Sequence, residues 1–317
     1  MNKLVPIDLG GSPHGCAVAP PQRAASTPDT VAAMVENFAD RWPDADLEVA
    51  FFHGGTPSRE LMEAAGGLPM RLSCHPADLN RASAEAFLEA GGTIVELEVM
   101  SLDPHVLRNA ERQYTVGRVR SMARQLKDMG FSVGAHLVPG LPGSDAVGAV
   151  SDISGLLGDD GPWVDFVRIW PALAFEGAKL ATWADSGAWR PWDVGEAVGV
   201  LVQMVAVAEQ AGLPVVRIGI QPGHDIPAKA VAGPNHPNIR GEVEVIRFGN
   251  RIEQAVRNSS GTLDPVMLVN PKDLTWAKGT SNSNAKMVRA KLGLRSLRFE
   301  TDTTIPRGTV TVSRGQT

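Results

Sequence analysis

Six short stretches carry residue types that can do chemistry. "GGSPHGCAVAPPQ" (10–22) sets Ser12, His14 and Cys16 in a Gly/Pro-rich loop, "FFHGGTP" (51–57) places His53 before Gly54, Gly55 and Thr56, and "LSCHPADLN" (72–80) joins Cys74 to His75. "VELEVMS" (95–101) alternates carboxylates, "GAHLVPGLPG" (134–143) carries His136, and "RIWPALAFEGAKL" (168–180) carries Trp170. Ser12, His14, Cys16, Cys74 and His75 mix nitrogen and sulfur donors as zinc sites do, but their spacing fits no zinc pattern, so no metal site is expected. Gly54 and Gly55 would let a ligand come close to the backbone. In the fourth stretch a period of two puts Glu96, Glu98 and Met100 on one face and Val95, Leu97 and Val99 on the other. An inward arginine such as Arg168 or Arg217 is the plain ion-pair partner for such a carboxylate. "GLPGS" has the wrong order for a G-x-S-x-G serine nucleophile. Trp183, Trp189 and Trp192 read as aromatics that pack a loop, whereas Trp170, on the face of Arg168, is placed to line a pocket.

These residues need elements to hold them. Apolar runs recur as "KLVPIDL", "LEVAFF", "MRLSC", "TIVELEV", "SVGAHLV", "DFVRIW" and "PVVRIGI", each strand-like, with helix-period segments between them. Glycine closes several helices just before the next strand, as in "EAGGTIVELEV", "DMGFSVGAHLV" and "EQAGLPVVRIGI". About seven β-α units predict an α/β fold whose parallel sheet curls into a full or partial (β/α) barrel, with sites at the C-terminal ends of the strands. All six stretches fall at such ends. The rhythm breaks near residue 236, which divides the chain into a barrel over 1–235 and a small C-terminal α+β subdomain over 236–317. "GTSNSN" reads as an exposed loop.

Bulk composition narrows the function classes. The 317 residues carry a formal charge of -5, which gives no basic field for nucleic acid, and 43% hydrophobic residues, which suits a globular protein. The expected partner is a small-molecule substrate, with no nucleic acid and no membrane; oligomeric state stays open. Two cysteines and no charged-then-apolar leader predict a cytoplasmic protein. The most apolar stretch, "VGVLVQMVAVAEQAG", is too short to span a membrane. An Ala/Gly/Val/Arg-heavy composition points to a GC-rich bacterial genome.

Taken in order, the strand-end stretches, with "GPNHPNIR" and the tail "LVNPKDLTWAKGTSNSNAKM", resemble the radical SAM superfamily. The resemblance is strongest to the bacterial branch related to the elongator catalytic subunit and to oxygen-independent coproporphyrinogen oxidase. It implies a partial TIM-like barrel that binds S-adenosylmethionine across its top, and a CxxxCxxC loop whose thiolates hold a [4Fe–4S] cluster. Here the loop reads Ser12-x-x-x-Cys16-x-x-Ala19. Cofactor contacts carried over by the resemblance are Gly54, Gly55 and Thr56 for the methionyl amine, Arg112 for the carboxylate, and His136 at the position that touches the ribose. Ser101, Met100 and Trp170 complete that pocket. Family members read "ELGxQS" on the fourth strand, so Glu96 and Ser101 are kept while Glu98 and Met100 are departures. His75 stands where an arginine is usual.

Oxygen and alanine do not replace thiolates, so the loop predicts that no [4Fe–4S] cluster is held and that S-adenosylmethionine reacts by polar chemistry. Glu98, with Glu96 and His75, is the expected catalytic set, a desolvated carboxylate with a raised pKa acting as base. The expected reaction is base-assisted elimination or internal cyclisation that releases methylthioadenosine, making the chain a lyase or transferase. Two alternatives stand beside it. One is a non-catalytic S-adenosylmethionine-binding scaffold; the other is a radical SAM enzyme whose cluster ligands were substituted or are supplied otherwise.

Overall fold

The computed structural model describes residues 3–11, 14, 16–18, 24–158, 161–220, 229–259 and 261–313. All seven strand-like runs become parallel neighbours of one sheet: β1 (Lys3–Asp8), β2 (Leu47–Gly54), β3 (Met70–Cys74), β4 (Gly92–Met100), β5 (Ser132–Leu137), β6 (Phe166–Ile169) and β7 (Val215–Ile218). Their order in space is their order in sequence, from β1 at one edge to β7 at the other. A sheet that advances in one direction with a helix over each crossover is a curled half-barrel. Its core is the outward layer of the strands packed under the helices, including Val5, Phe51, Leu72, Val95, Leu97, Val133 and Ile169, each fully buried or nearly so.

The helices are, in chain order, α1 (Pro28–Arg41), α2 (Arg59–Glu63), α3 (Arg81–Glu89), α4 (Pro104–Asn109), α5 (Val116–Asp128), α6 (Ala146–Gly155), α7 (Lys179–Asp185), α8 (Val194–Gln210), α9 (Ile239–Arg257), α10 (Leu274–Lys278) and α11 (Ser283–Leu292), and local chemistry sets their limits. Thr27 caps α1 (Pro28–Arg41) in a reciprocal box with Thr30, and Asp193 does the same with Glu196 for α8 (Val194–Gln210). Gly91, Gly130 and Gly212, the glycines read as helix stops, adopt φ of 100°, 101° and 66°. Those angles cost an L side chain free energy that glycine avoids.

Two compact units result, 1–237 and 238–317. The second has its own core of Phe248, Ile252, Val256, Met267, Val269, Ala277 and Val288. It forms where α9 (Ile239–Arg257) and α11 (Ser283–Leu292) accompany a three-stranded sheet, with β8 (Val266–Val269) between β9 (Arg298–Thr301) and β10 (Val310–Val312). "GTSNSN" is exposed over Thr280, Ser281, Asn282 and Ser283, as expected. Ser281 and Asn282 both take left-handed backbone angles, and α11 starts at the next residue, Ser283. Among the described residues no helix is long and apolar enough to cross a membrane.

Candidate functional site at the mouth of the half-barrel

The strand ends are irregular where the chemistry gathers. His53, at the end of β2, and Met100, at the end of β4, adopt φ of 55° and 60°. Both lie where the pairing register slips, between Phe51 and Gly54 and between Leu97 and Met100. Bulges of this kind re-aim side chains, and strained backbone at a strand end marks a site. His53 Nδ1 lies 3.2 Å from Asp8 Oδ2 at the end of β1. The buried Met100 uses its carbonyl to accept the Val138 amide at 2.7 Å.

Arg112 is the centre of the mouth. It is buried, and its Nη2 donates to the Glu98 carboxylate at 3.0 Å and to the Glu98 carbonyl at 3.3 Å. Tyr114, the one tyrosine of the chain, places its hydroxyl 2.7 Å from the Glu98 carbonyl and 2.9 Å from that of Val99, and so holds the end of β4. Burial pushes the Tyr114 phenol up to about 12, so it donates as a neutral group. Burial alone would lower the Arg112 pKa, but Tyr114, Glu98 and Cys16 beside it outweigh that loss and raise it. Glu98 therefore finds an arginine partner, but it is Arg112 rather than Arg168 or Arg217. An ion-paired carboxylate is not the free base that its position suggested.

Next to this pair stands His75, 1% exposed. Its ring stacks on His14 at 4.5 Å and meets the Tyr114 ring edge-on at 5.1 Å. The His14 imidazole is 2.9 Å from Asp78. The ligand atoms of His14, His75 and Asp78 lie within 4.8 Å of one another, which is close enough for an ion. Tautomer chemistry opposes that use. His75 Nδ1 accepts the Ala77 amide at 3.0 Å, so its proton sits on Nε2, which has no partner among the described residues. The mouth thus presents an N–H from His75 and not a lone pair. Burial first, then Arg112, lowers the His75 pKa to about 3, so it does not relay protons near neutral pH. Cys74, next in sequence, is buried, and burial raises its thiol well above the usual range; it fills space.

His136 repeats the pattern on β5. It is buried, its Nε2 has no partner among the described residues, and burial followed by Arg168 and Arg112 holds its pKa well below the ordinary value. Its ring stacks on Trp170 at 5.8 Å. His136 and Trp170 are therefore brought together, as are Arg112 and Glu98.

Other expected site residues have different jobs. A Cβ on Gly54 would sit 2.4 Å from Leu9 Cβ, so glycine is needed there to pack Leu9 and not to admit a ligand. Gly55 is open by comparison, its nearest neighbour being Asp78 at 3.7 Å. Thr56 follows in the bend after β2 and is half-buried. Ser101 turns away from the mouth and donates to Asp152 on α6 (Ala146–Gly155) at 3.1 Å. Glu96 accepts from Arg71 at 3.0 Å and from Arg168 at 3.3 Å, which leaves it paired twice. Sequence reading missed Tyr114, Asp78, Arg71 and Glu48. A charge inside an apolar strand run, as in "LEVAFF" and "MRLSC", was the available signal for the last two.

Against known proteins, residues 164–248 match the Radical_SAM C-terminal domain. The chain is 27% identical over 176 residues to a tRNA uridine(34) acetyltransferase of Dehalococcoides mccartyi, covering 55% of this chain and 37% of that protein. It is 27% identical over 154 residues to human Elongator complex protein 3, covering 48% and 27%. Its fold is similar to the archaeal Methanocaldococcus infernus Elp3 with N-terminus deletion, at TM-score 0.59 and 20% identity, over 76% of this chain and 61% of that one. The chain thus spans well under half the length of these curated relatives.

These findings overturn the cluster-free reading. The family model that matches is the Radical_SAM C-terminal domain, and nothing in these likenesses shows that a cluster has been lost. The positions on which the expectation rested, Ser12 and Ala19, lie outside the described residues. Elimination or cyclisation driven by Glu98 falls with it, since Glu98 is committed to Arg112. Of the loop's three positions the chain itself supplies one thiol, Cys16, which does not make a three-thiolate set.

Proposed function

We propose, because the chain is related to the radical SAM superfamily on the side of the elongator catalytic subunit, that it is an enzyme that binds S-adenosylmethionine in the mouth of the half-barrel and acts on a small molecule held beneath it. The observation that carries this is the buried Arg112 beside two buried, neutral imidazoles whose Nε2 atoms have no partner among the described residues. Buried polar atoms without partners are rare in native proteins and mark places where a ligand supplies the missing contact. Arg112 suits the methionyl carboxylate, for which a guanidinium fork is the best match. His136 and Trp170 suit the adenosyl group, with the ring offering stacking and the imidazole one polar contact. S-adenosylmethionine, when bound, supplies the reactive sulfonium. The chain's residues orient it and keep water from it.

Glu98 gives this site a distinctive property. Its carboxylate already holds the Arg112 guanidinium, so the ligand carboxylate must compete with an internal one. The relatives' names include an RNA substrate, and a small-molecule substrate is proposed here on two grounds. One is the overall charge of -5; the other is a cavity of about 1120 Å³ below the mouth, at the large end for a single ligand.

Calorimetric titration of S-adenosylmethionine into the full chain, handled anaerobically, tests the proposal. Binding that weakens by about two orders of magnitude in Arg112→Ala, as expected for a lost charged pair, supports it. An Arg112→Ala protein that is folded and binds as the wild type does would sink it, as would a wild type that does not bind.

A further inference from the structure

Beneath the mouth lies a second polar layer, separate from Arg112, His75 and His136. Glu48 on β2, Arg71 on β3, Glu96 on β4, Arg168 on β6 and Arg217 on β7 line the cavity, and Phe38 of α1 and Trp42 just after it close one side. Hydrogen bonds order the first four into a chain. Arg71 donates to Glu48 at 2.9 and 2.7 Å and to Glu96 at 3.0 Å, and Arg168 donates to the second Glu96 oxygen at 3.3 Å. Two carboxylates thereby neutralise two guanidiniums.

Three cations of the same cavity are left over. Arg217 is half-buried and has no carboxylate partner among the described residues; Lys3 and Arg41, at the rim, have none either. Instead, Lys3 and Arg41 lie over the Trp42 ring, at 4.9 and 4.7 Å from its centroid. Arg168 also keeps its buried Nε without an acceptor. Burial first, then Arg168 and Arg71, pull the Arg217 pKa below its ordinary value, although the nearby Glu96 carboxylate works the other way. A chain that is acidic overall has concentrated uncompensated positive charge in one concave, partly desolvated place. Burying cations without counter-charge is costly, and an anion that enters relieves the cost.

We infer that this cavity binds a small molecule through a compact oxyanion of two or more negative charges, with Arg217 and Arg168 as its principal partners and Lys3 and Arg41 at the entrance. The inference rests on the reading of the mouth as a cofactor site, because it assigns the class of the second substrate. Phosphate and polycarboxylate groups share the required chemistry, since a guanidinium fork takes either in bidentate fashion.

Titration of the full chain with two probes, pyrophosphate and citrate, with and without S-adenosylmethionine, tests it. At least one probe should bind, with affinity that falls about tenfold or more in Arg217→Gln and falls again as salt is raised from about 50 to about 300 mM, while the S-adenosylmethionine affinity of Arg217→Gln stays that of the wild type. Binding of pyrophosphate alone identifies a phosphate-bearing ligand, and of citrate alone a polycarboxylate. Should Arg217→Gln fold poorly, Arg41→Gln at the exposed rim takes its place, with a smaller loss expected. Neither probe binding to a wild type that does bind S-adenosylmethionine overturns the inference. So does equal binding to wild type and both variants. If a probe binds in the Arg217-dependent way but S-adenosylmethionine does not bind, the cofactor reading falls and the anion site stands.

Discussion

His75 Nδ1 accepts the Ala77 amide, and that one bond decides which nitrogen carries the proton. The consequence can be read by long-range proton–nitrogen NMR. His75 should appear as the neutral Nε2–H tautomer at pH 7 and remain neutral at pH 5, where an ordinary histidine is mostly charged. A His75 that titrates near 6.5 would mean that the mouth is wetter than its burial implies. Glu98 makes a second prediction at this scale. If its carboxylate competes with that of S-adenosylmethionine for Arg112, then Glu98→Gln, which keeps the shape and removes the charge, should tighten S-adenosylmethionine binding by roughly tenfold. Calorimetry reads the change. Weaker binding in Glu98→Gln would instead make Glu98 a partner of the ligand.

At the level of elements, the strand ends β2 and β4 are held by packing as much as by hydrogen bonds. Gly54→Ala forces a Cβ to 2.4 Å from Leu9 and should destabilise the half-barrel by about 1–3 kcal/mol, while Gly55→Ala, with 3.7 Å of room, should change stability by less than about 0.5 kcal/mol. Urea denaturation of the two variants separates packing from ligand access as the reason for the paired glycines. Where α6 meets the end of β4, burial raises Asp152 to about 6 although the Leu102 amide and Ser101 hydroxyl bond to it. The native state therefore holds this proton more tightly than the unfolded chain does, and stability falls as pH rises from about 4 to about 6. Asp152→Asn keeps an acceptor and removes the titration. It should match the wild type at pH 4 and exceed it by up to about 3 kcal/mol at pH 7. The elements themselves were legible in the sequence because two signals agree, seven recurring apolar runs of strand length and a glycine stop before β4, β5 and β7. The site was only partly legible. Period two carries a side chain to the expected face only while the register is regular, and it slips at Phe51–Gly54 and Leu97–Met100. Glu98 then meets Arg112 from the loop after α4 (Pro104–Asn109), and Ser101 turns to α6, pairings between residues far apart or on curved backbone that no local pattern encodes.

Across the whole molecule, charge is distributed against its average. The chain has an excess of acid, yet the lumen of its half-barrel has an excess of guanidinium, so field lines from a low-dielectric wall favour an anion inside a protein that repels one outside. Proton binding follows a similar logic. His75 and His136 are both neutral in the folded protein at pH values where the unfolded chain takes up a proton on each, because burial lowers their pKa values. The unfolded state then binds more protons between about pH 6.5 and the folded values, and stability falls on acidification through that window. Asp152 acts in the opposite sense, but it is one group against two. Net stability should therefore drop by about 1 kcal/mol per pH unit between pH 6 and 5, as urea midpoints at fixed ionic strength would record. His136→Gln, which cannot charge, should flatten the slope without removing it, because His75 still opposes the proton. A wild-type profile that is level from pH 6.5 to 4.5 would show that the two imidazoles accept protons inside the fold, and that the mouth does not keep its polar atoms waiting for a ligand.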